Sequence, residues 1–166
     1  DVTKLDWLNG QYIRSLDAED LTDRVLEYAD RTGQAQEVLG RDLTCEDREI
    51  IHAAMPLIRE RLVLLSEALP KLAFLLIDDD ALVFDGDSVA KLKTGANEIQ
   101  QASTEVLKGL DDEMGIKPRL AFAPIRVAVT GSRVSPPLFE AMEILGKGST
   151  LRRMERFEAE IEQSSD

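Results

Sequence analysis

The chain has 166 residues, 43% hydrophobic but only 5% aromatic, so it can bury a core packed mainly by aliphatic side chains. Its net charge of −12 argues against non-specific binding to nucleic acid, and a single cysteine, Cys45, excludes an internal disulfide and fits a reducing cytoplasm. No apolar run approaches the roughly 20 residues that span a bilayer and no signal peptide is present, so no membrane role is expected. The chain begins at Asp1 without a methionine, and a helix is predicted almost at once, which suggests a segment of a longer protein.

The periodicity predicts a helix over 4–16, with Leu5, Leu8, Tyr12 and Leu16 on one face. Asp17 and Asp20 read as the cap of a second helix, 18–32, which holds Leu21, Val25, Leu26 and Ala29 and stops at Gly33. Thr44 and Asp47 read as the next cap. The helix behind them carries Ile50, Ile51 and Ala54 and ends or kinks at Pro56. Leu57 to Leu65 is predicted to continue as helix, with Arg59 and Arg61 on its polar side. Ser66 then caps a short helix through Leu75, with Pro70 in its first turn or at a kink. Residues 78–88, with Asp78-Asp79-Asp80 and Asp85-Gly86-Asp87, read as a loop. A helix over 95–110 places Ile99, Ala102, Val106, Leu107 and Leu110 on one face, and Gly115 closes that region. Ser135-Pro136-Pro137 opens a helix that runs to Leu145 and stops at Gly146. Ser149 caps the last helix, 150–162, lined by Leu151, Met154, Phe157 and Ile161. One stretch is ambiguous. Ile125, Val127 and Val129 alternate with Arg126 and Ala128 in a strand pattern, yet nothing else alternates convincingly to pair with it.

Charge is unevenly placed. Residues 1–116 hold 12 basic and 25 acidic side chains, residues 117–156 hold 8 basic and 3 acidic, and the last ten hold 4 acidic and none basic. One basic face can still serve a specific polyanion, because screening confines each charge to about 8 Å at physiological salt.

Few constellations suggest chemistry. The run Asp78 to Asp80 has the oxygens a divalent cation needs, but its spacing matches no calcium loop and a solvated surface loop is the simpler reading. His52 has no cysteine or second histidine nearby to share a metal. Cys45 sits beside a helix start, without the histidine partner that nucleophilic catalysis requires. No phosphate-cradling glycine loop is present. Trp7 and Tyr12 could stack on bases, although Trp7, among apolar neighbours, is better placed in the core or at an interdomain contact. Arg59 and Arg61 lie two apart and so do not share a helix face. Arg126 is different: a guanidinium inside an apolar run is forced outward and pre-positioned, and its fork can engage base edges or phosphate.

Three segments carry a resemblance. They are Lys4-Leu5-Asp6-Trp7-Leu8-Asn9-Gly10-Gln11-Tyr12-Ile13-Arg14, then Pro56-Leu57-Ile58-Arg59-Glu60-Arg61-Leu62, then Ile125-Arg126-Val127-Ala128-Val129-Thr130-Gly131 with Ser135-Pro136-Pro137-Leu138-Phe139-Glu140 and Ile144-Leu145-Gly146-Lys147. In order and rough spacing they resemble the C-terminal anticodon-binding region of bacterial glutamyl-tRNA synthetases. The resemblance implies an all-α helical bundle in two small subdomains, 1–75 as a stem and first anticodon-binding part and 76–166 as a second. It implies a short helix at 125–130, with Pro124 in its first turn and Gly131 just past its end. It implies that Arg61 reads the third anticodon base and helps to separate glutamate from glutamine tRNA, and that Arg126, Ser135, Pro136 and Leu138 lie against the other anticodon bases. Splayed single-stranded bases suit arginine planes and stiff apolar shelves.

The implied partners are the anticodon arm of tRNA and the catalytic domain of a parent chain, with no DNA, in a cytoplasmic monomer. ATP and magnesium are implied only for the full-length enzyme, and no catalytic or metal-ligating residue is assigned here. The sequence departs from the family in lacking the catalytic nucleotide-binding fold, and in a stretch, 85–115, that holds one long helix where two are expected. A rival reading is an acidic helical module that binds another protein through its strongly negative segment. A metal-dependent hydrolase built on Asp78 to Asp80 is a weaker third.

Overall fold

The computed structural model describes residues 1–94 and 118–163. Every regular element among them is helical, so the fold is all-α. The α-helices are α1 (Val2–Ser15), α2 (Ala18–Thr32), α3 (Gln34–Leu39), α4 (Cys45–Ile58), α5 (Ala68–Leu76), α6 (Gly86–Thr94), α7 (Pro118–Thr130), α8 (Leu138–Leu145) and α9 (Lys147–Gln163). Short 3-10 turns lie at Arg59–Arg61, Leu65–Glu67 and Asp79–Ala81. The helix predicted over 95–110 and its stop at Gly115 fall outside the described residues. The described chain groups into two units, Asp1–Asp78 with Pro136–Leu145, and Asp79–Ser135 with Gly146–Asp166.

In the first unit the caps of α2 and α4 are those the sequence predicts. The Asp17 carboxylate accepts from the Asp20 amide at 2.8 Å, and α2 ends at Gly33 in the left-handed region, φ 71°. Thr44 and Asp47 form a reciprocal capping box: the Asp47 amide donates to Thr44 Oγ1 at 3.1 Å, and the Thr44 amide donates to Asp47 Oδ2 at 2.7 Å. Leu21, Val25, Ile51, Ala54 and Met55 are all within 1% of complete burial where α2 meets α4. Helix α3, at six residues, is too short to persist alone and is held by its neighbours α2 and α5. Its Gln34 side chain donates to the Ser66 carbonyl at 2.7 Å.

Three expectations in this unit need correction. The face of α1 marked by Leu5, Leu8 and Tyr12 is exposed, as is Trp7, and the buried residues are Gly10 and Ile13. Hydrophobic spacing locates a stripe without saying whether anything packs on it, and Trp7 is therefore not a core residue of its unit. Helix does not continue from Leu57 to Leu65. Pro56 sits inside α4 and has no amide to give the turn before it, and after Ile58 the chain tightens into the Arg59–Arg61 turn and becomes extended at Leu62. Leu62 is fully buried, which anchors that break. Ser66 lies within the Leu65–Glu67 turn and does not cap α5, whose N-cap is Glu67; Pro70 falls in the first turn as expected. Helix α8 returns to this unit late in the chain and packs on α4 and α5 through buried Leu138 and Ala141.

In the second unit, Leu92, Val127, Ala128 and Phe157 form the core, flanked by Phe84, Val89, Ala123, Met154 and Ile161. The ambiguous 125–129 stretch is helical, within α7. Pro124 lies inside that helix, not in its first turn, because the helix begins earlier, at Pro118. A mid-helix proline costs about 3 kcal/mol, while full burial of each aliphatic side chain contributes about 1.5–3 kcal/mol. Val127 and Val129, both at 0% exposure, therefore offset it. The loop expected over 78–88 is shorter than predicted, since Asp85 accepts from the Ser88 amide at 2.9 Å and starts α6 at Gly86. Helix α9 begins at Lys147, before Ser149, with the Thr150 hydroxyl donating to the Gly146 carbonyl at 2.8 Å.

Candidate nucleic-acid interface

Arg126 is positioned by the end of α7. Its neighbours Val127 and Val129 are fully buried, so Arg126 itself falls on the half-buried rim. The Thr130 hydroxyl donates to the Arg126 carbonyl at 2.8 Å and closes the last turn. Gly131 follows at φ 80°, and its amide donates to the Val127 carbonyl at 2.8 Å. A Cβ at Gly131 would stand 2.6 Å from the Val83 carbonyl oxygen, so glycine is required by approach as well as by conformation. The Asp85 amide donates to the Gly131 carbonyl at 2.8 Å, fixing the turn to the 82–85 strand of loop.

The chain then reverses through Ser132 to Ser135, and Arg126 Nη1 donates to Ser135 Oγ. Two residues singled out separately in the sequence are thus a bonded pair. Val134 is 85% exposed beside it, and Arg133 is exposed. Pro136 and Leu138 are buried, Leu138 against the core of the first unit. The exposed apolar side chain of that segment is Phe139, at 62%, which the sequence reading did not single out. Arg61 is exposed in the Arg59–Arg61 turn, against which α1 packs. The Asn9 side chain donates to the Val63 carbonyl just beyond that turn.

Behind Arg126 lies an ion cluster that corrects the solvated-loop reading of Asp79. Arg153, at 0% exposure, donates from Nε to Asp79 Oδ1 at 2.6 Å and from Nη1 to the Val129 carbonyl at 2.9 Å. It therefore caps the C-terminal end of α7 with a cation, where the helix dipole favours one. Arg156 donates to the carbonyls of Asp79 and Leu82 and lies 5.3 Å over the Phe84 ring. Burial pushes the Asp79 carboxyl up, but hydrogen bonds from Arg153 and Ser149 outweigh it and hold the group below the ordinary carboxylate range. Asp80, by contrast, is exposed. The basic excess of 117–156 is thus partly internal: Arg152, Arg153 and Arg156 face Asp79 or Asp80. The signal for Arg153 was present in the sequence, because Thr150, Arg153 and Phe157 form the buried i, i+3, i+7 stripe of α9, whereas Leu151 is 47% exposed.

Among the described residues no three His, Cys, Asp or Glu side chains converge to hold a metal ion. The sequence has no glycine loop for a nucleotide phosphate, so no ATP or magnesium step is assigned to residues of this chain.

The described residues form a helical domain whose basic turn carries an arginine bonded to a serine. The chain belongs to the anticodon binding domain family, which it matches over residues 20–158. It is similar to the glutamate–tRNA ligase of Cutibacterium acnes, at 78% identity across 98% of this chain and 36% of that protein. The glutamate–tRNA ligase of Kocuria rhizophila is 40% identical across 97% of the chain and 34% of its own length. That of Acidothermus cellulolyticus is 41% identical across 94% and 34%. The chain spans about a third of the length of the curated relatives it matches. The alignment with the first runs over 179 positions, more than the 166 residues here, so that relative holds residues with no counterpart in this chain.

Proposed function

We propose that this chain is the anticodon-recognition part of a glutamate–tRNA ligase, holding the anticodon arm of glutamate tRNA while a catalytic domain of the same protein attaches glutamate. Residues 1–75 and 76–166 would serve as two anticodon-binding parts. Arg61 would read the third base, and Arg126, Ser135, Pro136 and Leu138 would contribute to reading the others. The full enzyme would use ATP and magnesium, and would work as a cytoplasmic monomer. Arg126 at the rim and the exposed Arg133 and Val134 offer the accessible surface for RNA.

The observation that carries the reading is the Arg126–Ser135 pair, an arginine head ordered at the rim of the family-matched span. An ordered guanidinium loses less freedom on contacting a base plane and offers directional donors. Arg126→Ala should weaken binding of a glutamate tRNA transcript by about 10-fold or more, the range for one lost directional contact. Filter binding or fluorescence titration measures it, with circular dichroism to verify folding. A folded variant that binds as tightly as the parent refutes the site.

A further inference from the structure

Arg126 sits in α7, whose last turn the Thr130 hydroxyl closes, yet its side chain has several rotatable bonds whose freedom a partner for its head would reduce. Ser135 Oγ accepts from Nη1 and removes that freedom. Ser135 can do so because its own backbone is restricted: a residue before proline is pushed to extended conformations, and Pro136 follows it and is buried. On the other side the turn is pinned by Gly131, whose carbonyl accepts from Asp85 at 2.8 Å. Both partners are half-buried, so water competes only partly for the contact.

We propose that Ser135 is a positioning residue, acting on RNA through the Arg126 guanidinium and not by touching a base itself. The inference rests on the anticodon-recognition reading and refines it. It predicts that the two side chains behave as one unit, so their effects on binding do not multiply.

The test is a double-mutant cycle on the chain, with a glutamate tRNA transcript and transcripts bearing single anticodon substitutions as probes. Ser135→Ala should weaken the parent tRNA about 3- to 10-fold, the worth of a typical net hydrogen bond. It should also shrink the preference over the substituted transcripts while the thermal midpoint holds. In the Arg126→Ala background the same change should do nothing further. If Ser135→Ala lowers the midpoint, the pair Ser135→Thr and Ser135→Val replaces it, since threonine keeps the hydroxyl and valine the shape, and only threonine should bind like the parent. Multiplying effects of the two single variants would show Ser135 touching RNA directly and overturn this inference alone, as would an effect of Arg126→Ala with none of Ser135→Ala. If Arg126→Ala changes nothing, the functional reading falls and this one with it.

Discussion

At the residue scale, buried charge decides more than surface charge. Asp47 is 4% exposed and is held by a bidentate Arg41, at 2.5 and 3.0 Å, together with the Thr44 amide and hydroxyl. Arg41 also donates to the Leu76 carbonyl at 2.7 Å, so one side chain ties the start of α4 to the end of α5. The Arg41 hydrogen bonds outweigh burial and hold the Asp47 carboxyl at about 2, from an ordinary 3.8. A carboxylate depressed in the folded state stabilises the fold above its unfolded pKa, and that contribution is lost as pH falls through the folded value. Asp47 should therefore contribute about 2 kcal/mol at neutral pH, decaying between about pH 4 and pH 2. Asp79 is shifted in the same direction and adds to the slope. Urea unfolding from pH 7 to pH 2 should show this loss, and Arg41→Ala should flatten it while lowering stability at pH 7. An unchanged acid profile in that variant would show that Arg41 does not set the Asp47 titration.

At the element scale, α7 is the member on which the site depends. Its identity was underdetermined locally, because Ile125, Val127 and Val129 satisfy period two as well as a helix of short length. What decides is the company: Val127 and Ala128 pack with Phe157 of α9 and Leu92 of α6, and Gly131 ends the element against the Val83 carbonyl. Gly131→Ala should cost about 1–3 kcal/mol, from a positive φ and a Cβ facing backbone that cannot rotate away. Chemical denaturation measures it, and a loss below a few tenths would mean that the turn relaxes freely. Capped elements were legible in the sequence, since Asp17, Thr44 and Asp47 bond to amides three residues away and need nothing distant. The region after Pro56 was not, because its tightened turn depends on Leu62 reaching a core built by other helices. The α1 stripe was legible as a pattern but not as an interface: Leu5, Trp7, Leu8 and Tyr12 are 51–64% exposed.

At the scale of the whole molecule, a net charge of −12 must coexist with a polyanionic partner. Internal pairing sharpens the problem, because Arg153 is buried and Arg152 and Arg156 face Asp79 and Asp80. Arg61 and Arg133 are exposed, and Arg126 lies half-buried at the rim. Three contacts to a single-stranded loop would give a slope of log affinity against log salt of about −2, or roughly a 16-fold loss between 50 and 200 mM. Titrations across that range check it. A slope near about −4 would mean that the α9 arginines leave their carboxylates for RNA, contrary to the pairing described.

By itself the sequence determined the helical class, the caps of α2 and α4, the turns at Gly33, Gly131 and Gly146, and the prominence of Arg126, because each depends on residues within a few positions of one another. Tertiary structure alone decided that Arg126 meets Ser135 and that Arg153 turns inward to Asp79 and the end of α7. It alone decided that α8 joins the first unit, burying Leu138, while the apolar stripe of α1 is left exposed. The reason is physical: burial and ion pairing are properties of the space between segments, and a side chain's own neighbours in the chain do not fix which distant surface removes it from water.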